Sequence, residues 1–286
     1  MLSAIWGSSF IFIKLSIISI PPSLLTFYRL FIASIFLFLF CKNQIPKFFI
    51  SKNKILLLAI AIFGNVIPFN LISLSEIYVD SNVASTLIGT MPLFTILISL
   101  TLFKNQKFNF LSFFGIIIGF FGMIVFINPS KLSASSLVLN FSFLIILSAF
   151  FYGLSANLVK IIEDQSPLET AFISTFLAAI LSLPICLSNV YISEQTLLSI
   201  LKNISMISFI SATILGVMCT GVAIIIFFNL IKIKDAVFAS QSNFLIPCFG
   251  SLWAFIFLGE NLSKHMIFGL GFIVLGGWMV NKSKDN

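Results

Sequence analysis

The chain alternates long apolar runs with short polar connections. A helix of about 20 apolar residues crosses the hydrocarbon core of a bilayer. Ten runs of that kind are predicted, at about 2–20, 23–41, 55–77, 81–103, 110–128, 137–160, 167–188, 204–230, 235–258 and 264–281. Most connections are too short to hold a soluble domain, so the pattern predicts an all-α integral membrane protein of ten transmembrane helices.

Two of the runs share an interruption. Asp80 to Thr95 reads DSNVASTLIGTMPLFT, and Asp235 to Gly250 reads DAVFASQSNFLIPCFG. At a spacing of 155 they share Asp80/Asp235, Ala84/Ala239, Ser85/Ser240, Pro92/Pro247 and Phe94/Phe249. A proline within a helix removes one donor and leaves the carbonyl one turn earlier without its partner. In lipid, such a break is tolerated only where protein or a wet cavity satisfies the freed group. A matched pair of broken helices in two halves of a chain points to a transporter's solute site. Ordinary kinked helices that merely pack are the competing reading for either segment alone.

The repetition reaches further. At a spacing of 146, Gly7 meets Gly153, Lys14 meets Lys160, Pro21 meets Pro167 and Trp6 meets Tyr152. At 154, Gly115 meets Gly269 and Gly122 meets Gly276. Spans 1–5 therefore repeat as spans 6–10, giving two five-helix units at 1–130 and 137–282. Five crossings are odd, so the second copy enters the membrane from the opposite side. That is an inverted-topology repeat, the arrangement that supports alternating access.

Composition strengthens the membrane assignment. The chain is 59% hydrophobic and 9% charged, with a mean hydropathy of +1.15, whereas soluble domains carry roughly 25% charge. The net charge of +7 does not indicate nucleic acid, because the lysines sit in short loops between runs. One set of loops holds Lys42, Lys47, Lys52, Lys54, Lys104, Lys107, Lys160, Lys232, Lys234, Lys282 and Lys284, and the other only Lys131, Lys202 and Lys264. Lysine enrichment marks the cytoplasmic side, which predicts both termini inside a cell (inner) membrane. Cys41, Cys186, Cys219 and Cys248 show no paired or metal-ligand spacing and read as packing residues. No cleavable leader is apparent, and the first run is a span in its own right. No GxxxxGK nucleotide loop is present. No cofactor or metal is expected.

The sequence resembles the EamA-type family of the drug/metabolite transporter superfamily. The resemblance is carried by Trp6-Gly7-Ser8-Ser9-Phe10, by Phe27-Tyr28-Arg29-Leu30, by the two Ala-Ser…Pro segments, and by FLGENLSKHMIFGLGFIVLGGWMV from Phe257 to Val280. It implies ten helices in two inverted halves, a central cavity, and movement of small organic metabolites, often outward. One departure is the Gly259-Glu260-Asn261 turn, whose first-half counterpart is Lys104-Asn105-Gln106. The expected function is secondary transport of an amino acid or related compound. Import or exchange of a nucleoside-like or cationic metabolite such as S-adenosylmethionine is the alternative. A membrane-embedded enzyme would need clustered His, Asp, Glu or Cys, and the sequence offers one histidine and no acidic cluster.

Candidate solute-binding residues follow from polarity inside the runs. They are Trp6 and Lys14 in span 1, Asn65 and Asn70 in span 3, and Asn82, Ser85 and Thr86 in span 4. Tyr152 and Asn157 in span 6, Thr220 in span 8, and Ser240, Gln241 and Asn243 in span 9 complete the set. Pro68, Pro92 and Pro247 are the candidate helix breaks, with Pro247 freeing the carbonyl of Asn243. Glu76 is a possible proton-coupling group, with solvation or pairing to Arg29 or Lys14 as the plainer alternative. Arg29 reads equally well as a residue snorkelling to headgroups. Amides and hydroxyls with few fixed charges suit a small polar or amphipathic organic solute better than an inorganic cation. Each of these small polar residues also has a packing reading. The glycines at 115, 119 and 122 and at 269, 271, 276 and 277 are assigned mainly to helix packing, with a dimer surface as a further possibility. Whether the protein is a monomer or a homodimer is open.

Overall fold

The computed structural model describes residues 1–41, 52–103, 110–127, 136–192, 196–258 and 264–282. The first-half and second-half turns at Lys104 and Gly259, together with Lys42, Lys47, Lys107, Lys131 and Lys284, lie outside these residues. Among the described residues the chain is almost wholly helical and has no strand. The helices are α1 (Leu2–Ser16), α2 (Pro22–Phe40), α3 (Lys54–Ser75), α4 (Ser81–Leu102), α5 (Phe110–Ile127), α6 (Ser136–Ile161), α7 (Pro167–Ile192), α8 (Leu197–Lys202), α9 (Met206–Ile233), α10 (Ala236–Ser240), α11 (Ile246–Leu258) and α12 (Lys264–Lys282). Six of them, α2, α3, α4, α6, α7 and α9, are long and apolar enough to cross a membrane. Helices α1, α5 and α12 are shorter apolar helices.

Several expected runs are not uniform helices. The run at 235–258 divides into α10, a 3₁₀ turn over Gln241–Leu245, and α11. Helix α4 is interrupted at Gly89 and Thr90. Helices α3 and α9 contain π segments at Ile62–Val66 and Leu215–Val222. The three prolines explain where regular helix resumes. Pro68, Pro92 and Pro247 each occupy the second position of an α-helical segment, namely Ile67–Ser75, Met91–Leu102 and Ile246–Leu258. The break therefore precedes the proline rather than following from a kink around it. A first-turn proline costs little, because its missing N–H is a donor the helix leaves unused there.

The solvation pattern is the reverse of a soluble domain. Large apolar side chains point outward, among them Phe143 at 63% exposure and Phe268 at 68%. Thr26, Ser85, Thr86, Asn157, Thr170, Thr220 and Ser240 are fully buried. Many buried hydroxyls donate to a carbonyl three or four residues back, as Thr95 Oγ1 does to Met91 O at 2.9 Å. Such local bonds satisfy the group without a neighbouring helix.

Glycine sets the closest helix contacts, and the contacts come in reciprocal pairs. A Cβ on Gly7 of α1 would lie 2.7 Å from Phe249 Cβ of α11, and one on Gly153 of α6 would lie 3.2 Å from Phe94 Cβ of α4. Gly7 and Gly153 are repeat mates, as are Phe94 and Phe249. Helices α5 and α12 interlock in the same way. Gly115 faces the backbone of Gly276, and a Cβ on Gly269 would lie 2.6 Å from Gly122 O. Gly115, Gly122, Gly269 and Gly276 thus face the other helix of this pair within one chain.

Candidate functional site

A cavity of about 80 Å³ lies between the two halves of the chain. Its wall takes Trp6, Ser9, Phe10 and Ile13 from α1, Arg29 from α2, and Gly64, Asn65, Phe69 and Ile72 from α3. Ile88 and Met91 flank the α4 break, and Tyr152 and Ser155 come from α6. Cys219, Ile224, Phe227 and Phe228 come from α9, and Asn243 and Ile246 from the junction of the 3₁₀ turn with α11. Four repeat-mate pairs share this wall. Trp6 with Tyr152 and Ser9 with Ser155 are 146 apart, and Ile88 with Asn243 and Met91 with Ile246 are 155 apart.

The helix breaks and the cavity coincide. A proline cannot donate to the carbonyl four residues before it. For Pro68, Pro92 and Pro247 those carbonyls belong to Gly64, Ile88 and Asn243, and all three residues line the cavity. The Asn243 carbonyl, expected to be free, instead accepts from Ile246 N in the tighter 3₁₀ turn. The π segments add to this, since such turns concentrate at functional sites. Asn65 sits in the first, where its Nδ2 donates to Ile60 O at 3.4 Å. Thr220 sits in the second, where its Oγ1 donates to Leu215 O at 2.9 Å.

Arg29 is the charged side chain of the wall. It is 4% exposed. Its Nε and Nη2 donate to Thr220 Oγ1 at 3.1 and 3.0 Å. Its Cζ stands 3.8 Å from the centroid of the Phe69 ring, within cation–π range. Gly216 permits this arrangement, because a Cβ there would lie 2.9 Å from Ile32 Cβ and 3.0 Å from Arg29 O. The close approach of α2 to α9 thus seats the guanidinium over the π segment. The Trp6 and Phe227 rings meet edge to face at 5.0 Å, and Phe69 and Tyr152 at 6.3 Å. The Asn65 amide oxygen is buried and has no hydrogen-bond partner.

Of the thirteen sequence-selected binding residues, Trp6, Asn65, Tyr152 and Asn243 line the cavity. Thr220 stands behind the wall, holding Arg29. The others lie elsewhere. Lys14 Nζ donates to Glu76 O at 2.6 Å and so closes the C-terminal end of α3, where a cation is favoured. Asn70 Nδ2 donates to Val66 O at 2.8 Å and borders a separate peripheral pocket of about 460 Å³. Ser85 and Thr86 donate to Asn82 O at 2.8 and 2.7 Å. Ser85 also meets α11 at Gly250. Asn157 Nδ2 donates to Thr95 O and Gly153 O at 3.0 and 2.9 Å, tying α6 to α4. Ser240 Oγ donates to Val237 O at 2.8 Å, and Gln241 stands at the start of the 3₁₀ turn outside the wall. Glu76 is fully buried, and Ser81 Oγ donates to its Oε2 at 3.1 Å. The sequence-selected set left out Ser9, Ser155 and the phenylalanines of the wall, and it left Arg29 balanced between a functional role and snorkelling to headgroups. The signal for Arg29 was its depth in an apolar run, and Gly216, which faces its backbone from α9, was visible without its register to α2.

Comparison with known proteins agrees with this architecture. A family model described as the EamA-like transporter family matches residues 1–128 and 140–282. An uncharacterized transporter encoded in the trpA 3′ region of Buchnera aphidicola subsp. Schlechtendalia chinensis is 36% identical over 118 residues, covering 41% of this chain and 38% of that relative. The uncharacterized transporter YoaV of Bacillus subtilis is 24% identical, covering 96% of this chain and 92% of its own. An uncharacterized transporter of Archaeoglobus fulgidus is likewise 24% identical, covering 98% and 95%. One solved crystal structure shares the fold with a TM-score of 0.70 at 13% identity, covering 98% of both chains.

Proposed function

The chain belongs to the EamA-like transporter family, and we propose that it is a secondary transporter of a small organic metabolite, working by alternating access around the cavity between its halves. The observation that carries this reading is the meeting of three features at one place. The breaks at Pro68, Pro92 and Pro247, the four repeat-mate pairs, and the buried polar groups Arg29 and Asn65 all fall on the wall of one cavity. Ordinary packing does not require matching breaks to converge.

We read the fold as ten crossing segments in two inverted five-helix repeats, 1–130 and 137–282. The reciprocal contacts Gly7–Phe249 and Gly153–Phe94 support that reading, as do the glycines of α5 and α12. Contacts that exchange under the repeat are what a pseudo-two-fold axis produces. The lysine bias supports cytoplasmic termini in the cell (inner) membrane.

A cavity of about 80 Å³ has room for only a few waters. Small-molecule sites are usually about 300–1,000 Å³. Binding a metabolite therefore requires the halves to separate at the wall, and we read this structure as a closed intermediate of the cycle. Outward movement of an amino acid or related compound is the working direction.

The test is counterflow in proteoliposomes with a panel of amino acids, nucleosides and cationic metabolites, with and without a pH gradient. At least one solute is expected to exchange. Asn65→Ala and Trp6→Ala are each expected to lower its exchange about tenfold or more without loss of folding, since each removes a wall contact worth about 1–3 kcal/mol. Folded protein that exchanges nothing, or variants that exchange normally, would overturn the assignment of this cavity.

A further inference from the structure

We propose that Arg29 is an anchor for an anionic group, and that the solute is an organic monoanion carrying a carboxylate beside an apolar or aromatic body. This rests on the transport reading above and specifies the chemistry of its site.

A guanidinium has five N–H donors. Two of those on Arg29 go to Thr220 Oγ1, which leaves three without a protein acceptor among the described residues. Thr220 is neutral and Phe69 supplies a ring face, so neither neutralises the charge. A buried charge of this kind is costly unless it is paired, and an ionisable residue inside a membrane protein faces a partner or a pathway. The acid whose charge reaches Arg29 is Glu76. Its carboxylate accepts from Ser81, and Glu76 is not part of the cavity wall. The space in front of Arg29 belongs to the solute.

The fork of the guanidinium matches a carboxylate in two parallel hydrogen bonds. Thr220 and Phe69 fix its plane before the solute arrives, so little orientation is lost on binding. A single fixed positive charge balances a monoanion and leaves a phosphate dianion in excess within an apolar wall. The buried Asn65 Oδ1, free of any hydrogen bond, offers one acceptor for a donor on the same solute. Phe10, Phe227 and Phe228 supply the surface for its apolar body.

The test uses the full chain in proteoliposomes and matched pairs of probes in which a carboxylate is replaced by its amide; the phenylacetate pair is the monoanion case and the amino-acid pairs add an amine. The pairs are L-leucine and L-leucinamide, L-phenylalanine and L-phenylalaninamide, and phenylacetate and phenylacetamide, with glycerol phosphate and lysine methyl ester as dianionic and cationic controls. Competition for exchange and thermal stabilisation are read together. An acid is expected to act about tenfold or more strongly than its amide, the gain of a charge-assisted hydrogen-bond pair. Arg29→Gln is expected to erase that difference, and Arg29→Lys to keep part of it. Thr220→Val is expected to weaken the acid several-fold, because the fork loses its fixed orientation. The acid–amide comparison on the unmodified protein stands even if an Arg29 variant fails to fold. An amide, the phosphate or the cation that moves as well as or better than the acids overturns the anchor and leaves the transport reading intact. Folded protein that moves none of these or the wider panel overturns both.

Discussion

At the scale of the residue, the buried polar side chains divide by what they hold. Asn157 joins two helices through backbone carbonyls, while Asn65 stands in the cavity wall and donates only within its own helix. The two asparagines were indistinguishable in the sequence, since each is a lone amide in an apolar run. Their partners separate them, and those depend on register between helices distant in the chain. Asn157→Leu, close in volume, removes both donors and leaves Thr95 O with one bond fewer. It is expected to cost about 1–3 kcal/mol of stability, read as a lowered melting temperature in detergent. Asn65→Leu removes a single longer bond, 3.4 Å to Ile60 O, within its own helix. It is expected to cost clearly less stability than Asn157→Leu. Equal losses would mean that both amides serve packing.

At the scale of the element, irregular helix marks the site, and proline and glycine mark irregular helix. Pro68, Pro92 and Pro247 were visible in the sequence as prolines within apolar runs, Pro92 and Pro247 match at a spacing of 155, and all three segments border the cavity. What the spacing could not give was the kind of break. The π segments at Ile62–Val66 and Leu215–Val222 have no residue signature of their own, so the seats of Asn65 and Thr220 were hidden. The Asn243 carbonyl accepts from Ile246 N in the 3₁₀ turn; Pro247→Ala supplies the regular-helix donor that competes with it and favours continuous helix across the turn. Exchange is expected to slow several-fold while melting stays within about 1 kcal/mol of the parent. Unchanged exchange would detach the break from the cycle.

The α5–α12 contact gives a second test at this scale. A Cβ added at Gly276 would press on Gly115 O and lie 2.6 Å from Gly119 N, whereas one at Gly271 meets nothing within 4 Å. Backbone cannot rotate away, so Gly276→Ala must push the helices apart. Overpacking of that kind costs about 1–3 kcal/mol. Gly271→Ala, at a helical position open to lipid, is expected within about 0.5 kcal/mol of the parent. Thermal melts of the two variants side by side check the pair, and equal stabilities would remove the assignment of these glycines to the internal contact.

At the scale of the whole molecule, the order and spacing of apolar runs carried the reading furthest, because a membrane forces period, length and charge bias onto the chain together. The reciprocity of glycine contacts needed the folded chain. It leads to a prediction about sidedness that neither repeat alone makes. Asp80 stands at the entry to one broken helix, and Lys234 stands at the entry to the other, next to Asp235, the residue that matches Asp80 at a spacing of 155. Under inversion they face opposite sides of the membrane, and under simple tandem repetition they face the same side. Both are exposed, and Asp80 makes no capping bond that a substitution would remove. Three of the native cysteines are buried and Cys248 is half-buried, so a background with all four replaced by alanine gives a silent reference. In intact cells, Asp80→Cys is expected to react with a membrane-impermeant maleimide, and Lys234→Cys only after the membrane is opened. Labelling of both from one side would dismantle the inverted arrangement, and the two-fold relation read from Gly7–Phe249 and Gly153–Phe94 would then describe packing without a transport axis.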